Sequence, residues 1–306
     1  MNYDYIAAGI SIVNDIRYAD GRTASNRLGG CAIFAYGGIG LYTASVAFLS
    51  SGGPDFFSFY GDYFKENNIS EEGIYLTLPH THKTLLEYEK DGSWHEASLY
   101  GEDYFAKQSE NNRSSFEKLK PFLNENTKGL YLDAAADEKI FSEITDIRKT
   151  SPDIIIMWEP PTFSSKDPSK RDILLNNIDL VDIYSLNLDE ASVFFNETNR
   201  DKIIERIMEQ DKPCFLRQGE NGSSFIANKK IASLKAYDPD KAVDVTGCGN
   251  CSAAAALYAF TQGYDPYEIL LHANVAAGYL SRFNGPAPIK RGRENKVYLQ
   301  FRKYYN

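Results

Sequence analysis

The sequence predicts an α/β fold built on a mainly parallel sheet with helices on both faces and a small β-excursion. From Leu130 onward, short apolar runs alternate with helix-like segments, the pattern of strands covered on both sides. The N-terminal third instead carries short alternating strands, and the last quarter is Ala-rich and helical.

In chain order, Ile16–Ala19 and then Thr84–Tyr88 with Ser93–Leu99 read as short strands, the latter two joined by an Asp91-Gly92 turn. They would form a lid from about residues 15–26 and 83–100. The run Phe56-Phe57-Ser58-Phe59-Tyr60 reads as a core strand rather than a base-stacking surface, because no basic stripe accompanies the rings. Leu130–Ala134, Ile154–Trp158, Ile183–Leu186 and Cys214–Leu216 are buried-strand candidates. Between them, Glu138–Lys149, Arg171–Asn177 and Lys202–Glu209 read as helices. An Ala-rich helix over Cys251–Gln262 stops at Gly263. Asp265-Pro266-Tyr267-Glu268 is a capping box that opens another helix, which ends before Asn284-Gly285-Pro286. With no repeat or low-complexity tract, residues 1–306 read as one continuous domain.

Charge and composition narrow the function. The 33 Lys+Arg against 42 Asp+Glu give −9, and no basic run concentrates positive potential, so nucleic acid is not an expected partner. No apolar run approaches the roughly 20 residues that span a bilayer, and no basic region precedes an apolar N-terminal stretch. A cytoplasmic protein without a membrane partner is expected. Cys31, Cys214, Cys248 and Cys251 are too few and uneven for a disulfide scaffold, so free thiols are expected. Nucleophile-elbow, HExxH, Walker A and Gly-x-Gly-x-x-Gly patterns are absent from the sequence, which removes hydrolase, zincin, P-loop and dinucleotide readings.

The most informative stretch is Asp244-Val245-Thr246-Gly247-Cys248-Gly249-Asn250, a glycine loop feeding the Ala-rich helix. Free amides of a first helical turn attract anions, and glycines let a phosphate approach the backbone. The same glycines also suit a plain tight turn. This stretch resembles the late signature Asp-Thr-x-Gly-Ala-Gly-Asp of the ribokinase/PfkB family of sugar and nucleoside kinases. Further matches fall in the family's order: Gly29-Gly30 before a helix, Asn187-x-x-Glu190, Gly219-x-x-Gly222, then Asn274.

The resemblance implies a ribokinase-like three-layer α/β/α domain with a small β-sheet lid, its substrate cleft between lid and sheet. It implies phosphate transfer from Mg-ATP to a hydroxyl of a sugar, nucleoside or similar small molecule, and a homodimer formed through the lid strands. By the same resemblance Gly29 and Gly30 shape the acceptor pocket, and Asn14 or Asp15 accepts hydrogen bonds from substrate hydroxyls. Asn187 and Glu190 help position magnesium and phosphate, Glu190 offering the hard oxygen ligand that Mg²⁺ takes. Gly219, Gly222 and Asn274 surround the nucleotide, next to Arg217 at a position where the family commonly has Thr. Read without the family, Gly219 to Gly222 is a hairpin turn and Asn274 a polar helix residue. The amides of Gly247, Cys248 and Gly249 would neutralise the transferred phosphoryl group while Asn250 aligns the acceptor.

The chain also departs from the family. Asn250 stands where the family has its catalytic Asp, and an amide cannot take a proton, so general-base help worth about two to four orders of magnitude is lost. Asp244 is the nearest other carboxylate in sequence, although orienting Thr246 or the turn suits it better. Phe34 replaces a common Asn, and Glu159-Pro160-Pro161 replaces Asp-x-Asn. Three readings stay open. The first is a kinase relying on position and electrostatics, in which Asn250→Asp would raise transfer about a hundredfold. The second is a kinase for an acceptor already ionised, paired with Arg217 or Lys166. The third is a protein that binds nucleotide or sugar without turnover, as a sensor or interaction protein. Cys248-x-x-Cys251 also has redox-pair spacing, with a thiol at a helix N-terminus where a lowered pKa is expected, and Cys31 would approach Cys248 across the pocket.

Overall fold

The computed structural model describes residues 2–89, 94–289 and 303. Its larger sheet has nine strands in the order β13-β12-β11-β10-β9-β8-β1-β4-β5. These are β1 (Tyr5–Ala8), β4 (Val46–Ser51), β5 (Ile74–Tyr75), β8 (Gly129–Asp133), β9 (Ile155–Glu159), β10 (Ile183–Asn187), β11 (Cys214–Arg217), β12 (Ser223–Ala227) and β13 (Lys230–Leu234). From β5 to β11 the pairing is parallel; β12 and β13 add an antiparallel edge. A separate four-stranded sheet runs β3-β2-β6-β7, from β2 (Ile12–Arg17), β3 (Thr23–Gly29), β6 (His82–Tyr88) and β7 (Trp94–Ser98). The Asp91-Gly92 turn lies outside the described residues.

The strands of the large sheet are apolar along their length because both faces are covered. Tyr5, Ala7, Tyr131, Met157 and Phe215 face one core with helices α1 (Cys31–Gly40), α2 (Phe56–Asn67), α10 (Cys248–Thr261) and α11 (Pro266–Leu280). Their alternating neighbours Ile6, Ala8, Leu130, Leu132, Trp158 and Leu216 face a second core. That second face is covered by α4 (Phe116–Leu119), α5 (Ile140–Thr150), α7 (Arg171–Ile178), α8 (Leu188–Phe195) and α9 (Arg200–Glu209). Two more helices, α3 (Tyr104–Asn112) and α6 (Thr162–Ser165), complete the set among the described residues. The three-layer architecture is therefore as expected. Asp265 opens α11 by accepting from the amides of Tyr267 and Glu268.

One expected strand is a helix. Phe56, Tyr60 and Phe64 recur every fourth residue and are fully buried along one side of α2, with the Phe56 and Tyr60 rings stacked 4.4 Å apart. A five-residue aromatic run fits either secondary structure, and the period becomes readable only when Phe64 is included. The first strand of the small sheet also begins earlier than expected, at Ile12 rather than Ile16.

Candidate active site

The carboxyl edge of the parallel sheet gathers charged groups that lie far apart in sequence. Asp133 ends β8 opposite Glu159 at the end of β9, and Asn187 ends β10 opposite Arg217 at the end of β11. Open α/β sheets bind ligands at this edge. Into it points the N-terminus of α10, where a Cβ on Gly249 would collide with the Arg217 guanidinium. Arg217 thus stands directly against the first turn of the glycine-fed helix.

Arg217 is held by two buried carboxylates. Its Nη1 lies 2.6 Å from Glu159 Oε1 and its Nη2 3.2 Å from Glu190 Oε2. Only 4% of Glu159 and 2% of Glu190 is exposed, so both charges depend on internal partners. Glu159 Oε2 accepts from the Tyr131 hydroxyl at 2.7 Å, and Oε1 also accepts from Asn250 Nδ2 at 3.1 Å. Burial pushes the Glu159 carboxyl up from its ordinary value, with Arg217 pulling the other way. Burial likewise opposes charge on Arg217, but Glu159 and Glu190 outweigh it and hold the guanidinium protonated. The Nε of Arg217 is buried without a hydrogen-bond acceptor among the described residues.

The orientation of Asn250 follows from this network. The Tyr131 hydroxyl hydrogen is spent on Glu159, so both Tyr131 and Glu159 offer Asn250 only acceptors. The amide nitrogen must therefore face inward, leaving Oδ1 as the atom turned away from Glu159. Asn250 is suited to accept a hydrogen bond from an acceptor hydroxyl.

The expected phosphate cradle is narrower than the sequence suggests. Gly247 takes φ +76° as the N-cap, and a Cβ there would collide with the Phe34 ring, so an aromatic face covers that glycine. The Cys248 amide donates to the Val245 carbonyl at 3.1 Å. The helical ladder begins with the Cys251 amide donating to Gly247, so the Gly249 and Asn250 amides precede it. Anion capacity thus rests on those two amides and Arg217, while the Cys248 amide is spent within the turn. Asp244 accepts from the Thr246 amide at 2.9 Å and from the Gly285 amide at 3.3 Å, which makes it a residue of the turn.

Glu190 does not fit a magnesium ligand in this arrangement. Its Oε1 accepts from Thr162 Oγ1 and its Oε2 from the Asn187 amide, each at 2.8 Å, with Arg217 on the same Oε2. Asn187 in turn accepts from the Glu190 amide, so the pair forms the capping box of α8. Among the described residues no group of three or more His, Cys, Asp or Glu is arranged to hold a metal ion.

Other expected site residues are engaged by the fold. Asn14 is buried and accepts from Thr84 Oγ1 at 2.8 Å; Asp15 accepts from the Asn26 amide and pairs with Lys83 at 3.2 Å. Both Asn14 and Asp15 therefore brace the small sheet. The carbonyl of Gly29 accepts from Tyr60, and Gly30 at φ +85° caps α1, where a Cβ would strike the Ile10 carbonyl. Gly219 and Gly222 close the hairpin between β11 and β12. Asn274 accepts from Ser223 and donates to the carbonyls of Leu234 and Lys235, tying that hairpin to α11. A cleft of about 490 Å³ opens beside the hairpin, lined by Leu188, Arg200, Gln218, Asn221 and Lys235 among others. A second, of about 200 Å³, lies between Ile16 and Tyr88 of the small sheet, Tyr18 just beyond β2, and the Val243–Thr246 segment.

The four cysteines are free thiols, as expected. Cys31 donates to Asp133 at the sheet edge, whereas Cys248 donates to the Ala277 carbonyl. Burial pushes Cys248 up to about 12, which outweighs its place at a helix N-terminus. Burial also pushes Asp133 up to about 7. Tyr131, Asp133 and Thr162 were not singled out from the sequence. The first two lie within the predicted strand Leu130–Ala134, and its carboxyl end was the available signal.

These features define a three-layer α/β protein with a glycine-fed helix start and a fixed guanidinium at the carboxyl edge of its sheet. The family model for pfkB family carbohydrate kinases matches residues 3–283, and the chain belongs to that family. No curated protein matches it. Among solved structures it is similar to the nucleoside kinase of Methanocaldococcus jannaschii, an archaeal member of the ribokinase family, with 19% identity and TM-score 0.73 over 98% of each chain. The Burkholderia thailandensis nucleoside kinase in complex with inosine gives 16% identity and TM-score 0.75 over 98% of each chain. Fructokinase from Vibrio cholerae O395, bound to fructose, ADP and calcium ion, gives 13% identity and TM-score 0.72, covering 97% of this chain and 98% of its own. At these identities the likeness concerns the fold.

Proposed function

We propose that this protein is an ATP-dependent kinase that phosphorylates a hydroxyl of a sugar, nucleoside or similar small molecule. The observation that carries this reading is the Arg217 guanidinium set against Gly249 at the start of α10 in a chain of this family. Phosphoryl transfer depends mainly on positioning and charge, and here a fixed cation stands beside two helix-start amides. The nucleotide would lie along the cleft beside the Gly219–Gly222 hairpin, with its phosphates reaching Arg217. The acceptor would lie between the small sheet and the Val243–Thr246 segment, its hydroxyl directed at the sheet edge beside Asn250. ATP would bring its own Mg²⁺ on its phosphates, as that ion usually binds; Glu190 is not assigned to it. A cytoplasmic site of action and pairing of two copies through the small sheet belong to the same proposal.

The test is phosphate transfer from Mg-ATP across a panel of sugars and nucleosides, with ADP binding measured by calorimetry. Transfer to at least one acceptor is expected, together with loss of ADP binding in Arg217→Ala. Failure of the folded wild type to bind ATP or ADP would overturn the reading.

A further inference from the structure

We propose that the proton-accepting carboxylate has moved from the start of α10 to the end of β9, so that Glu159 is the general base and Asn250 holds it in place through its side-chain amide. This rests on the kinase reading above. The distance between the two side chains carries it: Glu159 Oε1 lies 3.1 Å from Asn250 Nδ2, so the site keeps a carboxylate one side chain away from the position that lost it. An Asp at 250 would set two carboxylates side by side, and such a pair cannot readily ionise together. Asn at 250 is then what Glu159 requires.

Three ligands hold Glu159, from the guanidinium, the phenol and the amide. A carboxylate offers about four lone-pair sites, so one is left for an incoming proton. In the transfer step the acceptor oxygen forms its bond to the γ-phosphorus as the bridging bond to the β-phosphate breaks. The electron pair of that bond leaves with ADP, and the hydroxyl proton passes to Glu159 and then to water. The ionisable groups facing Glu159 are Tyr131 and Arg217 in direct contact, with Glu190, Asp133 and Cys31 further out. Burial already moves the Glu159 carboxyl upward, the direction that suits a base working near neutrality.

The experiment is a pH–rate profile of kcat with Mg-ATP and the best acceptor for wild type, Glu159→Gln, Asn250→Asp and the double variant, each checked for folding by circular dichroism. Glu159→Gln should lower kcat by about 10²–10⁴ and abolish the acidic limb. Asn250→Asp should not give the hundredfold gain that the family pattern suggests. It should instead lower kcat and move the acidic limb upward by about one unit or more. The double variant, which returns the single carboxylate to α10, should recover most of the loss. An unchanged profile in Glu159→Gln, or a large gain in Asn250→Asp, would overturn the relocated base while leaving the kinase reading intact. If Glu159→Gln does not fold, the Asn250→Asp and double variants decide in the same way. Absence of transfer by the wild type with every acceptor would overturn both readings.

Discussion

The carboxyl edge of the large sheet and the small four-stranded sheet both carry Arg–Glu pairs, at similar distances and with opposite consequences. Arg217 lies 2.6 Å from Glu159, with side-chain exposures of 14% and 5%; Arg17 lies 2.8 Å from Glu87, with exposures of 62% and 45%. In the first case each ion has given up its water and depends on the others. In the second, water and salt can replace either partner. Burial rather than contact distance decides what each pair contributes.

The largest effect follows from breaking the buried set. Arg217→Ala leaves Glu159 and Glu190 together without their cation and should destabilise the fold by about 3–5 kcal/mol, measured by urea denaturation at neutral pH. A loss below about 1 kcal/mol would mean that water enters the edge freely, and the contrast between the two regions would fail.

Acidity sharpens the comparison next. Burial raises Asp133 from 3.8 and Glu138 from 4.5, each to about 7. Their folded-state values exceed their unfolded ones, so the stability they contribute is complete below about pH 4 and is lost as pH rises through about 7. His82 in the small sheet runs the opposite way. Burial lowers it from 6.5 to about 4, so its contribution is complete above pH 6.5 and is lost as pH falls through about 4. Thermal melts of Asp133→Asn should therefore lose part of the alkaline decline, and those of His82→Phe part of the acidic one. An unchanged pH dependence in either variant would remove that group from the account.

A smaller loss, about 1–3 kcal/mol, is expected for Tyr131→Phe, which removes the donor to Glu159 Oε2 inside the protein. The same variant should weaken the hold on Asn250, whose Nδ2 also donates to the Tyr131 oxygen at 3.2 Å. A change within about 0.5 kcal/mol would show that Arg217 alone suffices to hold Glu159.

These groups also mark the limit of what the sequence conveys. The strands ending in Asp133, Glu159, Asn187 and Arg217 were legible because buried parallel strands are unbroken apolar runs. Asn250, Arg217 and Glu159 each stood out as departures from a family pattern, but their mutual contact did not. It depends on strand register, which sets Asn187 opposite Arg217 and Asp133 opposite Glu159, and register is not written in any local window. Helix α2 was hidden for a different reason, since Phe56 to Tyr60 spans too little chain to show a period. The glycine loop was readable as a turn feeding a helix, yet its covering by Phe34 belongs to tertiary packing.

The smallest effect is expected at Arg17 and Glu87, and it also bears on assembly. In a double-mutant cycle with Arg17→Ala and Glu87→Ala, the coupling should be below about 1 kcal/mol and shrink as salt rises, since both side chains face water. The two residues lie directly opposite each other on the neighbouring strands β2 and β6. A second copy seated on this face would exclude water from the pair and leave its coupling insensitive to salt. Salt-insensitive coupling at high protein concentration that becomes salt-sensitive on dilution would therefore place an interface on this face, whereas salt-sensitive coupling at every concentration would exclude one there.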